Sequence, residues 1–148
     1  MRFMARVSEL GMTVTRPWGD SLHYDVVLES EGCWLRVQVK SSTCKRNNSY
    51  YINLHGSKHY YTTDDFDFIA ALIIPLDVWY IIPAEAALRG QDKLCMTPGS
   101  PKTRYAPYHE AWHLLKARHC SSNIRDTDLC FRKGCQHRQG KDSTAETP

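Results

Sequence analysis

Asp25, Gln38 and Lys40 are the residues of this chain whose types and spacing could act together chemically. Residues 33–41 (CWLRVQVKS) alternate apolar and polar side chains. Alternate side chains of a strand share a face, so Leu35, Val37 and Val39 point one way while Trp34, Arg36, Gln38 and Lys40 point the other. Residues 24–30 (YDVVLES) read as a second strand, with Asp25, Val27 and Glu29 on one face. Between them, Glu31-Gly32 reads as a two-residue turn, which brings Ser30 opposite Cys33 and Asp25 opposite Gln38. Directly opposed residues have β-carbons about 4.5–5.5 Å apart, close enough for a carboxylate and an amide oxygen to hold one hard cation, with Lys40 reaching the same space. A one-residue slip would break the pairing. By alternation alone, the segment also describes an ordinary hairpin with one face in the core and the other in water.

The elements that must position this hairpin follow from apolar periodicity. Residues 2–10 place Phe3, Met4, Val7 and Leu10 at helical spacing before Gly11, which predicts the end of a helix whose beginning is missing. Residues 16–23 form a loop marked by Pro17 and Gly19, residues 45–49 a polar loop, and residues 50–54 a third strand. Residues 67–74 and 78–83 read as two buried strands; the turn at Pro75-Leu76-Asp77 makes each half too short for a membrane span. A short helix follows Pro83, residues 90–107 form a connection, and residues 108–116 read as an amphipathic helix with Ala111, Trp112, Leu114 and Leu115 available for packing. Beyond Ala117 the large apolar side chains are Ile124, Leu129 and Phe131, too little to offset the entropy of ordering. The 148 residues therefore divide into one domain over residues 1–117 and a disordered tail over residues 118–148.

The net charge of +3 is weak support for an anionic partner, but its distribution says more. No acidic residue lies between Glu31 and Asp64, a stretch that carries Arg36, Lys40, Lys45, Arg46 and Lys58 with His55 and His59. Lys45, Arg46, Asn47 and Asn48, with Tyr50, Tyr51, Tyr60 and Tyr61, form the mixture expected where backbone contacts position a duplex. Core packing is the alternative for Tyr50 and Tyr51. Six scattered cysteines and no signal-peptide pattern predict reduced thiols in a cytoplasm. Cys120, Cys130, Cys135 and His137 fit no common zinc spacing.

Pro17-Trp18-Gly19-Asp20, Tyr24-Asp25 and Arg36-Val37-Gln38-Val39-Lys40 together resemble the group I intron-associated endonucleases of the PD-(D/E)XK superfamily. A second block, from Tyr60-Tyr61 through Phe66-Asp67-Phe68 to residues 78–83, is similar to the same family, and the likeness runs over about residues 3–115. The resemblance implies an α/β, restriction-endonuclease-like core: a central mixed sheet of about five strands flanked by helices. It matches Asp25 to the acidic metal ligand and Gln38-Val39-Lys40 to the (D/E)XK tripeptide, with Gln in place of the acid. It further implies a Mg²⁺-dependent DNA endonuclease, with Mn²⁺ able to substitute, acting as a homo-oligomer (dimer or tetramer) on double-stranded DNA at a bacterial nucleoid. Asp25, the Gln38 amide oxygen and the Val39 carbonyl would supply part of the metal shell, with Asp20 as a further carboxylate. Lys40 would orient or help deprotonate the attacking water. Arg36, Ser41, Lys45, Arg46, Asn47, Asn48 and Lys58 would contact DNA.

One departure from the family pattern qualifies this reading. The family supplies a glutamate from its first helix, whereas Glu9 lies at the end of the helix predicted here. A catalytically inactive DNA-binding remnant is therefore the alternative to an enzyme. A junction-resolving or restriction role would use the same core.

Overall fold

A computed structural model describes residues 1–19, 22–55 and 60–116. The central hairpin is set by a local turn. Glu31 (φ 51°) and Gly32 (φ 79°) both adopt left-handed backbone, the requirement of a type I′ turn whose twist suits the flanking strands. They join β2 (Val26–Ser30) to β3 (Cys33–Ser42) in the register Val26↔Val37 through Ser30↔Cys33, as the two-residue turn predicted. β1 (Thr13–Thr15) adds to the outer edge of β2.

On the other side of β3 lies β6 (Phe68–Ile73), the one parallel neighbour, and then β7 (Val78–Pro83), antiparallel to β6. Two further strands, β4 (Lys45–Arg46) and β5 (Ser49–Asn53), fall between β3 and β6 in the chain. The main sheet thus has the order β1-β2-β3-β6-β7 and mixed polarity. Every side chain of β6 is buried, which is why its sequence is a continuous apolar run. Phe68, Ala70 and Leu72 join Leu28, Leu35, Val37 and the helix α1 (Arg2–Glu9) in one core. Ile69, Ala71 and Ile73 join a second core with Tyr50, Ile52, Leu94 and Met96.

That second core is covered by α2 (Ala84–Ala87) and by a small sheet in which β5 is flanked by β4 and β8 (Lys93–Met96). Here sequence periodicity falls short. β4 lies inside the segment read as a polar loop, β8 inside the segment read as a connection, and β1 was not anticipated. Strands of two to four residues carry too few positions for alternation to register.

The amphipathic helix expected over residues 108–116 is absent. In its place are two 3₁₀ turns, Ala106–Tyr108 and Trp112–Leu115, separated by Glu110 at φ 49°. Glu110 N donates to Trp79 O (2.8 Å), while its carboxylate accepts from Trp79 N (2.6 Å) and Trp112 Nε1 (2.7 Å). The open edge of β7 leaves backbone groups that need partners, and Glu110 supplies them at the expense of helix. Ala111, Trp112 and Leu115 are nonetheless buried, with Trp112 against Phe3 and Trp79. The expected tail, residues 118–148, lies outside the described residues.

Candidate active site

The ladder between β2 and β3 ends at Asp25, whose N–H donates to Val37 O at 3.0 Å. The next β2-facing groups of β3 are the N–H and C=O of Val39, and there β2 no longer continues. Asp25 takes the place of the missing strand: its Oδ2 accepts from Val39 N at 2.7 Å and from Gln38 Nε2 at 2.6 Å. Gln38 is buried, at 6% exposure, yet its amide leaves the core towards Asp25. The amide presents nitrogen to the carboxylate, with a longer 3.5 Å contact to Val39 O. Such an arrangement is expected beside a bare carboxylate, since oxygen facing oxygen would repel.

Lys40 follows on the same face of β3, over Ala71 where Gln38 is over Ile69. Its Nζ donates to Tyr61 Oη at 3.0 Å and lies 5.0 Å from the centre of that ring. Tyr61 in turn packs edge-on against the buried Phe66, with ring centres 5.2 Å apart. The ammonium is therefore held by a side chain that is itself held, which restricts the many rotamers of a free lysine.

Arg36, expected to contact DNA, is engaged elsewhere. Its Nη2 meets Asp67 Oδ1 at 3.0 Å, its Nε meets Oδ2 at 3.3 Å, and its Nη1 donates to Asp64 O at 2.6 Å. Asp67 also accepts from Arg36 N at 2.7 Å. Hydrogen bonding to Asp67 is the main reason the guanidinium's pKa is raised above its ordinary value, against partial desolvation. The pair ties β3 to the start of β6, so the Arg36 guanidinium is committed to Asp67 and the Asp64 carbonyl in this structure.

The remaining expected positions are dispersed. Ser41 is exposed at the end of β3, whereas Ser42 is buried and donates to Tyr51 O at 2.7 Å. Lys45 and Arg46 are exposed on β4, and Asn47 and Asn48 form the turn into β5, Asn47 at φ 53°. Asp20 and Lys58 lie outside the described residues. Glu9, near the end of α1, pairs with Arg6 at 3.2 Å. Asp67 and the anchoring role of Tyr61 were not apparent from the sequence, because both depend on contacts more than twenty positions away.

The donor set suits a small hard cation. Asp25 Oδ1 has no hydrogen bond among the described residues, the Val39 carbonyl faces no strand, and rotation of the Gln38 amide would offer its oxygen. All are oxygen ligands of the kind Mg²⁺ takes. Among the described residues no three His, Cys, Asp or Glu side chains converge, so phosphate and water would have to complete the shell.

A sequence profile described as PD-(D/E)XK endonuclease matches residues 1–115. The chain belongs to the PD-(D/E)XK endonuclease family. Among solved structures it is similar to the bacterial homing endonuclease I-Ssp6803I, at 30% identity and a TM-score of 0.67, over 77% of this chain and 83% of the other. It also shares its fold with Hjc, a Holliday junction resolvase from Archaeoglobus fulgidus, at 13% identity and a TM-score of 0.50, over 76% of this chain and 88% of the other. A comparison with curated proteins gave no match. The fold is restriction-endonuclease-like.

Proposed function

We propose that this protein is a divalent-metal-dependent endonuclease that hydrolyses phosphodiester bonds in double-stranded DNA, in the manner of a homing endonuclease. The observation that carries this reading is the splitting of β2 from β3 at Asp25, which leaves one Asp25 carboxylate oxygen, and a Val39 carbonyl met only by a 3.5 Å contact from Gln38, on the strand that carries Lys40. Family membership and the 30% identity to a homing endonuclease support it.

Asp25, Val39 O and Gln38 would hold Mg²⁺, with Mn²⁺ as a substitute. When bound, the ion supplies charge stabilisation at the phosphoryl group and lowers the pKa of a water ligand. Lys40, fixed by Tyr61, orients the attacking water and stabilises charge developing on the non-bridging oxygens. Arg46 and its neighbours on β4 contribute to backbone contacts. Cutting both strands needs two such sites, so the acting species is a homo-oligomer.

Plasmid nicking with Mg²⁺, Mn²⁺ and EDTA arms tests the reading. Metal-dependent conversion of supercoiled to open-circular DNA is expected. A second reading, a DNA-binding protein that does not cut, is favoured by the absence of a three-ligand acidic cluster among the described residues. Binding without nicking at any metal concentration would establish it.

Gln38→Glu separates metal binding from catalysis. Without metal it replaces the donor to Asp25 with a second carboxylate and should lower stability by about 1.5–3 kcal/mol, the worth of a hydrogen bond to a charged group. With metal the added charge strengthens the site, so the variant should gain more stability from Mg²⁺ than the unmodified protein does. Thermal melts across a Mg²⁺ series measure both effects. Equal Mg²⁺ responses in the two proteins would remove Gln38 from the metal site.

A further inference from the structure

The solvent face of the small sheet takes no part in the site at Asp25 and Lys40, yet it is polar, basic and continuous with it. Pairing sets Arg46 opposite Ser49, Tyr51 opposite Cys95 and Asn53 opposite Lys93. Opposed residues share a face. These six therefore look outward, while the alternate residues Tyr50, Ile52, Leu94 and Met96 are buried. None of the outward positions carries a carboxylate. Tyr51 N donates to Cys44 O at 3.2 Å, which brings the exposed Cys44 to the same face. A hydrogen bond between Ser49 Oγ and Thr97 Oγ1 (2.8 Å) ties β5 to the end of β8.

An open groove of about 360 Å³ has Lys40, Ser41, Thr43, Tyr51, Asn53 and His55 among its walls. The proposed catalytic lysine and the outward Tyr51 and Asn53 of β5 thus line one groove. The axes of the two outer strands lie about 10 Å apart, so Arg46 and Lys93 are spaced to reach phosphates on either side of a major groove about 12 Å wide. The Tyr51 hydroxyl, like any phenol of ordinary pKa, is protonated at neutral pH and able to donate.

We infer that this face is a duplex-reading surface laid along the major groove, with Arg46 and Lys93 on phosphates and Tyr51 and Asn53 of the central strand turned to base edges. The inference rests on the nuclease reading and adds to it the element that selects the target. Asn53 has the amide that pairs with the edge of adenine. Arg46 and Lys93, on the two outer strands, flank it with charge that contributes affinity without sequence information.

The test uses the full chain and a labelled random-sequence duplex, in EDTA to prevent cutting, across a potassium chloride series. Arg46→Ala combined with Lys93→Ala should make the logarithmic salt dependence of binding shallower by about 2, since each phosphate contact contributes about 0.9. Asn53→Ala should keep the salt dependence and broaden the sequences recovered by selection from a random pool. In the unmodified protein, duplex should protect Cys44 and Cys95 from N-ethylmaleimide while Cys33, at the other end of β3, labels as before. An unchanged salt dependence with Cys44 and Cys95 unprotected, in a protein that nicks plasmid, overturns this surface and leaves the nuclease reading intact. A protein that neither binds nor nicks duplex overturns both.

Discussion

Lys40→Ala is expected to slow plasmid nicking by at least about a hundredfold while leaving most of the duplex affinity in place. The lysine contributes one cation to a surface that also includes Lys45 and Arg46, so its loss removes only a small part of the electrostatic attraction. In the transition state its position has a different weight. It lies on the same face of β3 as Gln38, and Tyr61 holds its ammonium at 3.0 Å. Stabilisation present only in the transition state appears in the rate and not in binding. Asp25→Asn should be at least as damaging, because it neutralises the carboxylate that receives both Gln38 Nε2 and Val39 N. Single-turnover nicking rates beside anisotropy measurements separate the two effects. Near-normal cutting by Lys40→Ala would move the chemistry away from this strand.

Asp67→Ala should cost about 3 kcal/mol of stability, through the hydrogen bonds it removes and the charge it strands. Its carboxylate accepts three donors from Arg36, one of them the backbone N–H at 2.7 Å. Both side chains are about one-third exposed, so water recovers part of the loss and the figure stays at the lower end for a broken ion pair. Arg36→Ala should cost less, since Asp67 keeps the backbone donor. Asp67 also anchors through its main chain, accepting from Ala84 N and donating to Arg36 O at 2.9 Å each, contacts that alanine preserves. Urea unfolding of the two single variants and the double variant gives the coupling between them. If Asp67→Ala unfolds at the same urea concentration as the unmodified protein, the clamp is not what holds β3 in register with β6.

These two expectations draw on different kinds of information. The Asp25–Gln38 pairing was legible because a strand's period of two and a two-residue turn are local rules, and local rules fix a hairpin's register once both are known. The buried pair β6 and β7 was legible for a related reason: a strand covered on both faces must be apolar throughout. The placing of Tyr61 against Lys40 was not, and neither was the pairing of β8 with β5. Each joins residues that no periodicity relates.

Residues 108–116 show the limit most directly. Their spacing of Ala111, Trp112, Leu114 and Leu115 suits a helix, and burial of three of them occurs as that spacing suggested. The backbone is different because the open edge of β7, thirty-one positions earlier in the chain, needs hydrogen-bond partners that Glu110 can supply. The sequence by itself determined the hairpin, its register, the apolar faces of the central sheet and the residues available for chemistry, since each depends on neighbours in the chain. Only the tertiary structure decided that Arg36 is a clamp, that Tyr61 steadies Lys40, that Gln38 meets Asp25 through nitrogen, and that a second sheet covers the far side of β6. Those outcomes rest on which unpaired donors and acceptors meet after the chain has folded back on itself, and a linear pattern carries no record of that meeting.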